Sequence, residues 1–381
     1  MVTSQEPRVV GSVVLYRLYD VGYEIDLERA LDFLATTSEE REALRLKLER
    51  RQRAEAQAIR IKNPPVTVTL GSEQFDAAGR RYDASVSARI FDFGVISLRM
   101  RCGIPGALPW SAFAAFGDAA ELSAAARPAF DRRIRELTER IAPAVARLQI
   151  APVSEDYVVY RITRLESPAG EPLLASAVRE LDVAPLLLNE DRALSDQARK
   201  ELLPHWFSYY PDDLSIVTWN TALVLDPTEG ESDEQLILEF ANAQLLELRY
   251  YDALLDAELP QMYDRIANAR KGAGGLLGRR YAPLLTALQT LVADSTEIVE
   301  RTQNALKVTD DIFLARVYAA ALEVFRERAW RTGIDHKLDI IRQTYGMLNA
   351  ESMAARNELL EIAVVVLILV EIVIAVVLGG H

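Results

Sequence analysis

The pattern of apolar and polar positions changes character along this 381-residue chain. Through residue 165, short β-branched or alternating runs dominate: Val9–Tyr16, Val66–Leu70, Tyr82–Met100 and Asp156–Leu165. Runs of this kind predict strands, with Tyr82–Met100 reading as one or two of them. Between them, Asp26 is placed to cap a helix through Leu34 and Ser38 to cap a charged helix, while Ala124–Leu148 reads as an Ala/Arg-rich amphipathic helix. The order β-α-β-β-α-β is compatible with a split βαβ, ferredoxin-like sandwich over residues 1–165. Residues 166–230 hold helical fragments broken by Pro168, Pro172, Pro185 and Pro204. They end in Trp206–Leu225, a predicted hairpin or pair of strands with Asp212–Asp213 and Asn220 as turn candidates.

From Glu231 the period lengthens to alternating steps of three and four. Ile237, Ala241, Gln244, Leu248, Tyr251, Leu255, Leu259, Met262 and Ile266 form one seam. Leu277, Tyr281, Leu284, Leu288, Leu291, Ser295, Ile298, Thr302 and Ala305 form a second. Such heptad spacing predicts long helical hairpins over residues 231–333, the third helix capped by Thr309 and ending near Thr332–Gly333. A last seam runs from Ile334 without an intervening proline and predicts one continuous helix over residues 334–378. The expected fold class is therefore α+β: a mixed α/β module, an antiparallel bundle of long helices, and a C-terminal transmembrane helix.

The transmembrane expectation rests on Ile362–Leu378, where Glu371 is the one non-apolar residue. With Leu359 and Leu360 the run reaches 20 residues, near the length that crosses a hydrocarbon core of about 30 Å. Ile362, Leu367, Glu371 and Leu378 mark the expected span. Glu371 reads as a contact with another copy or another helix, as a tolerated defect, or as a proton-linked group. Arg342 and Arg356 precede the run and no basic residue follows it. That asymmetry predicts a tail-anchored, single-pass protein of the cell inner membrane with its bulk on the cytoplasmic side.

Composition changes this picture little. Lys and Arg number 43 against 56 Asp and Glu, a formal net charge of -13, so the chain has no general attraction for nucleic acid. The single cysteine, Cys102, excludes an internal disulfide and a thiolate metal cluster. Local charge is more informative. In ARKGAGGLLGRRY, the cations Arg270, Lys271, Arg279 and Arg280 flank a glycine-rich turn. No strand precedes it and no Lys-Ser/Thr follows, so it is not a phosphate-binding loop. It reads as a flexible turn or as a contact for an anionic partner, RNA or an acidic protein. Asp226–Glu258 holds ten acids and reads as a solvated helix face. Asp92-Phe93-Gly94 lacks the other kinase motifs and reads as a strand bend. His205, His336 and His381 have no metal-ligand spacing. No catalytic constellation is found, no cofactor or metal is predicted, and the expectation is a protein that is not an enzyme.

KVTDDIFLARVYAAALEVFRERAWRTGIDHKLDIIRQTYGMLN, followed by ARNELLEIAVVVLILVEI, resembles the "required for meiotic nuclear division" family. Leu314–Tyr318, Trp330, Ile334, Lys337-Leu338, Tyr345 and Leu360-Glu361 carry the likeness, with FDFG at Phe91–Gly94 and DDLSIVTWNTALVLDP in looser support. The resemblance implies a membrane-tethered, oligomeric protein and brings no catalytic site. One mitochondrial member supports organellar translation by holding ribosomes near a membrane. The functional expectation is a self-associating, membrane-anchored scaffold. A tether contacting RNA or ribosomes through the basic turn, and an enzyme with an unrecognised site, are the alternatives.

Overall fold

The computed structural model describes residues 6–35, 63–77, 79–190, 192–228, 230–271, 285–293, 296, 309 and 311–378. The chain divides into two units, Met1–Tyr250 with Asn304–Arg328, and Tyr251–Gln303 with Ala329–His381.

The first unit is organised by β1 (Arg8–Asp20), whose β-branched and aromatic residues favour an extended, buried strand. A short strand β2 (Glu24–Ile25) and helix α1 (Leu27–Leu34) follow, the helix N-capped by Asp26. Next come β3 (Val66–Ala77), β4 (Arg80–Ile90) and β5 (Val95–Gly103). β6 (Leu108–Pro109) and α2 (Trp110–Ala114) lead to α3 (Ala119–Ile141), capped by Asp118. β7 (Val145–Ala146) pairs with β2, and β8 (Ser154–Glu166) returns to the sheet centre. After the short helices α4 (Ala184–Leu188) and α5 (Asp196–Leu202) come β9 (Trp206–Phe207), β10 (Leu214–Val217) and β11 (Thr221–Leu225).

The main sheet has nine strands in the order β3-β4-β5-β1-β8-β11-β10-β9, with β6 against the start of β1. β1 runs antiparallel to both β5 and β8, whereas β11 joins β8 in parallel. The ferredoxin-like expectation, with its separate hairpin segment, is thus replaced by a single large mixed sheet. The reason lies in β8: its second edge is open to pairing, and the predicted Trp206–Leu225 hairpin adds to that edge. Two glycines are fixed by close approach. A Cβ on Gly11, at the β1 bulge, would lie 2.0 Å from the Arg161 carbonyl oxygen. Gly94, in the β4–β5 turn at φ +94°, would place one 1.8 Å from the Gly22 carbonyl oxygen. The bend read at Asp92-Phe93-Gly94 is therefore a turn held against a second loop.

The two faces of this sheet differ. Val13, Leu15, Val86, Ala88, Ile96, Leu98, Met100, Val158, Tyr160 and Ile162 point to one face and form the hydrophobic core with Phe113, Leu122, Phe130, Ile134 and Leu137. Each Val, Leu, Ile, Phe or Met among them, fully buried, contributes about 1.5–3 kcal/mol. The alternate positions point to the other face and include Tyr16, Asp20, Arg89, Ser97, Arg99, Glu155 and Arg161, all buried. There the sheet meets α6 (Asp233–Lys271) and α7 (Ile312–Val324).

α6 is enclosed over Glu234–Leu248, where every residue is buried. Its later turns bury only a stripe including Leu255, Met262 and Ile266, in the second unit. α7 is capped by Asp311, whose carboxylate accepts the Phe313 and Leu314 amides at 2.7 and 3.0 Å. The expected cap, Thr309, instead accepts the Asp311 amide at 3.0 Å. α7 stops at Val324 rather than at Thr332–Gly333, because Arg326 adopts a left-handed φ of 53°. α8 then runs unbroken over Glu327–Leu378. Within the second unit Lys337 pairs with Asp252 at 2.7 Å and Asp256 at 2.6 Å, and Gln289 donates to the Tyr345 hydroxyl at 2.7 Å.

The transmembrane helix expected at Ile362, Leu367, Glu371 and Leu378 is not found: among the described residues no helix is long and apolar enough to cross a membrane. Ile362–Leu378 is one helical stretch of 17 residues, about 25 Å long against a hydrocarbon core of about 30 Å. Glu361 borders it and Glu371 interrupts it. The expected tail anchor and single-pass inner-membrane placement fall with it.

Candidate functional site

The polar layer between the sheet and α6 gathers charged side chains from β4, β5 and α6 within the first unit. β4 supplies Arg89 and β5 supplies Arg99, both projecting from the face opposite the apolar core. Just ahead of α6, Glu231 receives Arg89 through both of its oxygens, at 3.1 and 2.8 Å, and Arg99 at 2.5 Å. Two turns into α6, Glu239 pairs with Arg89 and lies 3.7 Å from Arg99. Arg89 is 1% exposed and Glu239 2%. Ser232 and Gln235 form a reciprocal capping box at the α6 N-terminus, at 3.3 and 3.4 Å. The Gln235 amide also donates to the Tyr16 hydroxyl at 3.1 Å.

Electrostatics follow from this closure. Burial alone would raise the Glu231 carboxyl, yet the neighbouring Arg89 and Arg99 outweigh it and hold the group below the usual carboxylate range. Burial, with Glu239 nearby, raises the Tyr16 phenol. Two arginines balance two carboxylates, and an arginine does not exchange its proton at ordinary pH. The cluster acts as a charge clamp. Ser97 Oγ, Arg99 Nε and Glu239 Oε1 are buried without hydrogen-bond partners, so the clamp specifies where α6 docks more than it adds net stability.

The same face carries further pairs. Arg161 reaches Asp226 at 3.3 Å and the Thr228 carbonyl at 2.7 Å. Glu155 pairs with Arg249 of α6, and burial still raises its carboxyl to about 6. Asp20 accepts the Gly22 amide at 3.2 Å and shares a hydrogen bond with Glu247; burial pushes it up to about 7. These contacts correct the reading of Asp226–Glu258 as a solvated face, since Glu234, Glu239 and Glu247 are buried.

A concavity of about 630 Å³ is lined by Glu24, Asp26, Glu28, Asn63 and Asp92 among others. Two of its acids are already engaged. Asp26 caps α1, and Asp92 accepts the Asn63 amide at 2.7 Å. Among the described residues no group of His, Cys, Asp and Glu is arranged to hold a metal ion. Cys102 is buried, and burial pushes its thiol up to about 12, which makes it unreactive.

The structure does not gather the residues singled out from sequence. Arg270 and Lys271 close α6, whereas Arg279 and Arg280 lie outside the described residues, as do Ser38 and the helix expected after it. Ile362, Leu367 and Glu371 are exposed along α8, which ends at Leu378. Sequence reading missed Arg89, Arg99, Glu231 and Glu239. The available signal was Glu239 and Glu247 standing inside the apolar run LILEFANAQLLEL.

Comparison with known proteins bears on the sheet-bearing part. "Uncharacterized protein MJ0711" of Methanocaldococcus jannaschii is 26% identical over 193 residues, 50% of this chain and 57% of that protein. The match thus spans little more than half the length of that relative. No solved structure matches. A family model described as "Uncharacterized protein MJ0711, N-terminal domain" matches residues 10–232, which take in the sheet from the third residue of β1 onward and the Arg89–Arg99–Glu231 contacts; the chain belongs to that family.

Proposed function

We propose that this protein is a scaffold that self-associates through its C-terminal helix, with binding rather than catalysis as its task. One observation carries the reading. Between Leu360 and Ile374, twelve large apolar side chains of α8 are exposed, Leu367 by 67%. Contiguous exposed apolar surface of this kind marks an association site. A second copy of the chain supplies a surface of the same length and chemistry. The apolar residues occupy every face of the helix, so more than two copies are needed to cover it. Glu371, within that surface, finds its partner in the assembly as a carboxyl hydrogen-bonded across copies. The resemblance of the C-terminal stretch to the oligomeric "required for meiotic nuclear division" family supports the same reading.

Sedimentation and crosslinking of the full-length chain test it. Assembly above the dimer is expected, with Leu367→Glu shifting the population to smaller species. A chain that stays monomeric at micromolar concentration, or that partitions into lipid vesicles as a monomer, would refute it.

A further inference from the structure

The nine-stranded sheet ends differently on its two sides. β9 closes one side with two residues, whereas β3 closes the other with twelve, and no described strand lies beyond it. A long open edge presents backbone N–H and C=O groups to any extended chain, and proteins that avoid such pairing shorten the edge or place lysine or proline in it. Val66–Ala77 has neither residue. Its two acids are engaged within the same copy: Glu73 by Arg132 and Arg133 of α3, each at 2.7 Å, and Asp76 by Arg81 at 3.3 Å. The edge does carry a bulge between Thr69 and Gly71, where Gly71 has φ +91°.

That bulge shifts the side-chain alternation by one residue. Before it, Val66 and Val68 point into the apolar core; after it, Phe75 and Ala77 do. Thr67, Thr69, Gln74 and Asp76 alternate with them and point to the other face. Turned end for end about Ser72, the pattern matches itself. Val66 then faces Ala77 of a second copy, Thr67 faces Asp76, Val68 faces Phe75 and Thr69 faces Gln74. Leu70 and Gly71 together oppose Glu73, the two-against-one count that a bulge requires. Apolar residues meet apolar on the core face, polar residues meet polar on the other, and no carboxylate stands directly opposite another.

We propose that two copies of this protein pair antiparallel through β3, joining their sheets into one continuous sheet about a two-fold axis at Ser72. A two-fold contact needs a single patch that complements itself, and this edge is one. A peptide from another protein adds to a sheet edge by the same backbone hydrogen bonds. The agreement of β3 with its own reversal is what selects a second copy. The contact lies in the first unit and does not depend on association through the C-terminal helix.

Disulfide crosslinking of the full-length chain tests it, both with the native C-terminal helix and with Leu367→Glu, so that helix association is read separately. The native Cys102 is buried. Ser72→Cys should form a covalent dimer under mild oxidation, because residues opposed across an antiparallel pair have Cβ atoms about 4.5–5.5 Å apart. Thr69→Cys and Gln74→Cys should each crosslink poorly alone, whereas a mixture of the two variants should crosslink several-fold more. Ser72→Lys sets two like charges opposite each other at the axis. It should weaken dimerisation several-fold in the Leu367→Glu chain while leaving the melting temperature unchanged, since Ser72 is exposed. Failure of Ser72→Cys to crosslink in either chain overturns the proposal. So does equal crosslinking by all three single cysteines, dimerisation indifferent to Ser72→Lys, or crosslinking of Ser72→Cys to another protein in preference to its own copy.

Discussion

The two faces of the nine-stranded sheet solve one problem in opposite ways. One face is covered by α1 and α3 over a contiguous apolar core. The other meets α6 through arginines and carboxylates, of which Arg89 and Glu239 are just as buried. Apolar packing tolerates small shifts and repacking, because it is non-directional. A bidentate arginine–carboxylate pair does not. The apolar face therefore supplies stability, and the charged face fixes the register of α6, which continues out of the first unit.

The largest effect that tests this contrast comes from breaking the clamp. Glu239→Ala leaves Arg89 and Arg99 short of a partner and should cost about 3–5 kcal/mol in denaturant unfolding. Phe130→Ala, on the apolar face, should cost a comparable 3–5 kcal/mol or so through a cavity. The second site distinguishes the two faces. Adding Arg89→Met to Glu239→Leu should recover most of the loss, since the Arg99–Glu231 pair remains balanced, whereas a second truncation beside Phe130 should only add to the damage. Equal additivity on both faces would erase the distinction.

Acidity is the next lever. Asp20, facing Glu247 and Tyr250, and Glu155, facing Arg249 and Asp156, have carboxyls raised by burial to about 7 and about 6. Folded-state values above the unfolded ones, near 4, mean that their contribution is fully present below pH 4 or so. It is lost as the pH rises through about 6 to 7. Between pH 5 and 8 the charged face should therefore weaken by on the order of a few kcal/mol, while the apolar face is indifferent. Asp20→Asn should flatten the dependence of unfolding free energy on pH over that window; an unchanged slope would reassign it elsewhere.

The smallest effect is a control. Asp118 caps α3, over the apolar face, and Asp311 caps α7, over the charged one. Substituting either by Ala should cost about 1 kcal/mol in thermal unfolding. Matching losses would place the difference between the faces in the layers themselves rather than in the helix ends.

How much of this was legible in the sequence depends on what each residue reports. Runs such as Val9–Tyr16 and Asp156–Leu165 declare strands because β-branched and aromatic side chains fit a pleated surface. The α6 seam at Ile237, Ala241, Leu248 and Leu255 declares its helix by period. The charged face did not declare itself. Arg89, Arg99 and Ser97 stand at alternate positions where a half-exposed sheet would place polar residues, so local pattern assigns them to water. Only tertiary burial under α6 turns them inward, and no local period encodes which helix covers which face. Ile362–Leu378 failed as a membrane span for a related reason. An apolar run reports what a helix avoids, and its length and interrupting Glu371 decide what it can cross.

The central strand also sets a schedule. β1 precedes the other described strands of its sheet, yet Val13 pairs with Tyr160 on one side and Cys102 on the other. A ribosome must deliver 147 residues beyond Val13 before Tyr160 is available as its second neighbour. Until then its aromatic and aliphatic side chains are open to misassociation, the hazard of folds with many distant contacts. Conditions that slow synthesis or deplete chaperones should thus affect the yield of this protein sooner than its stability once made.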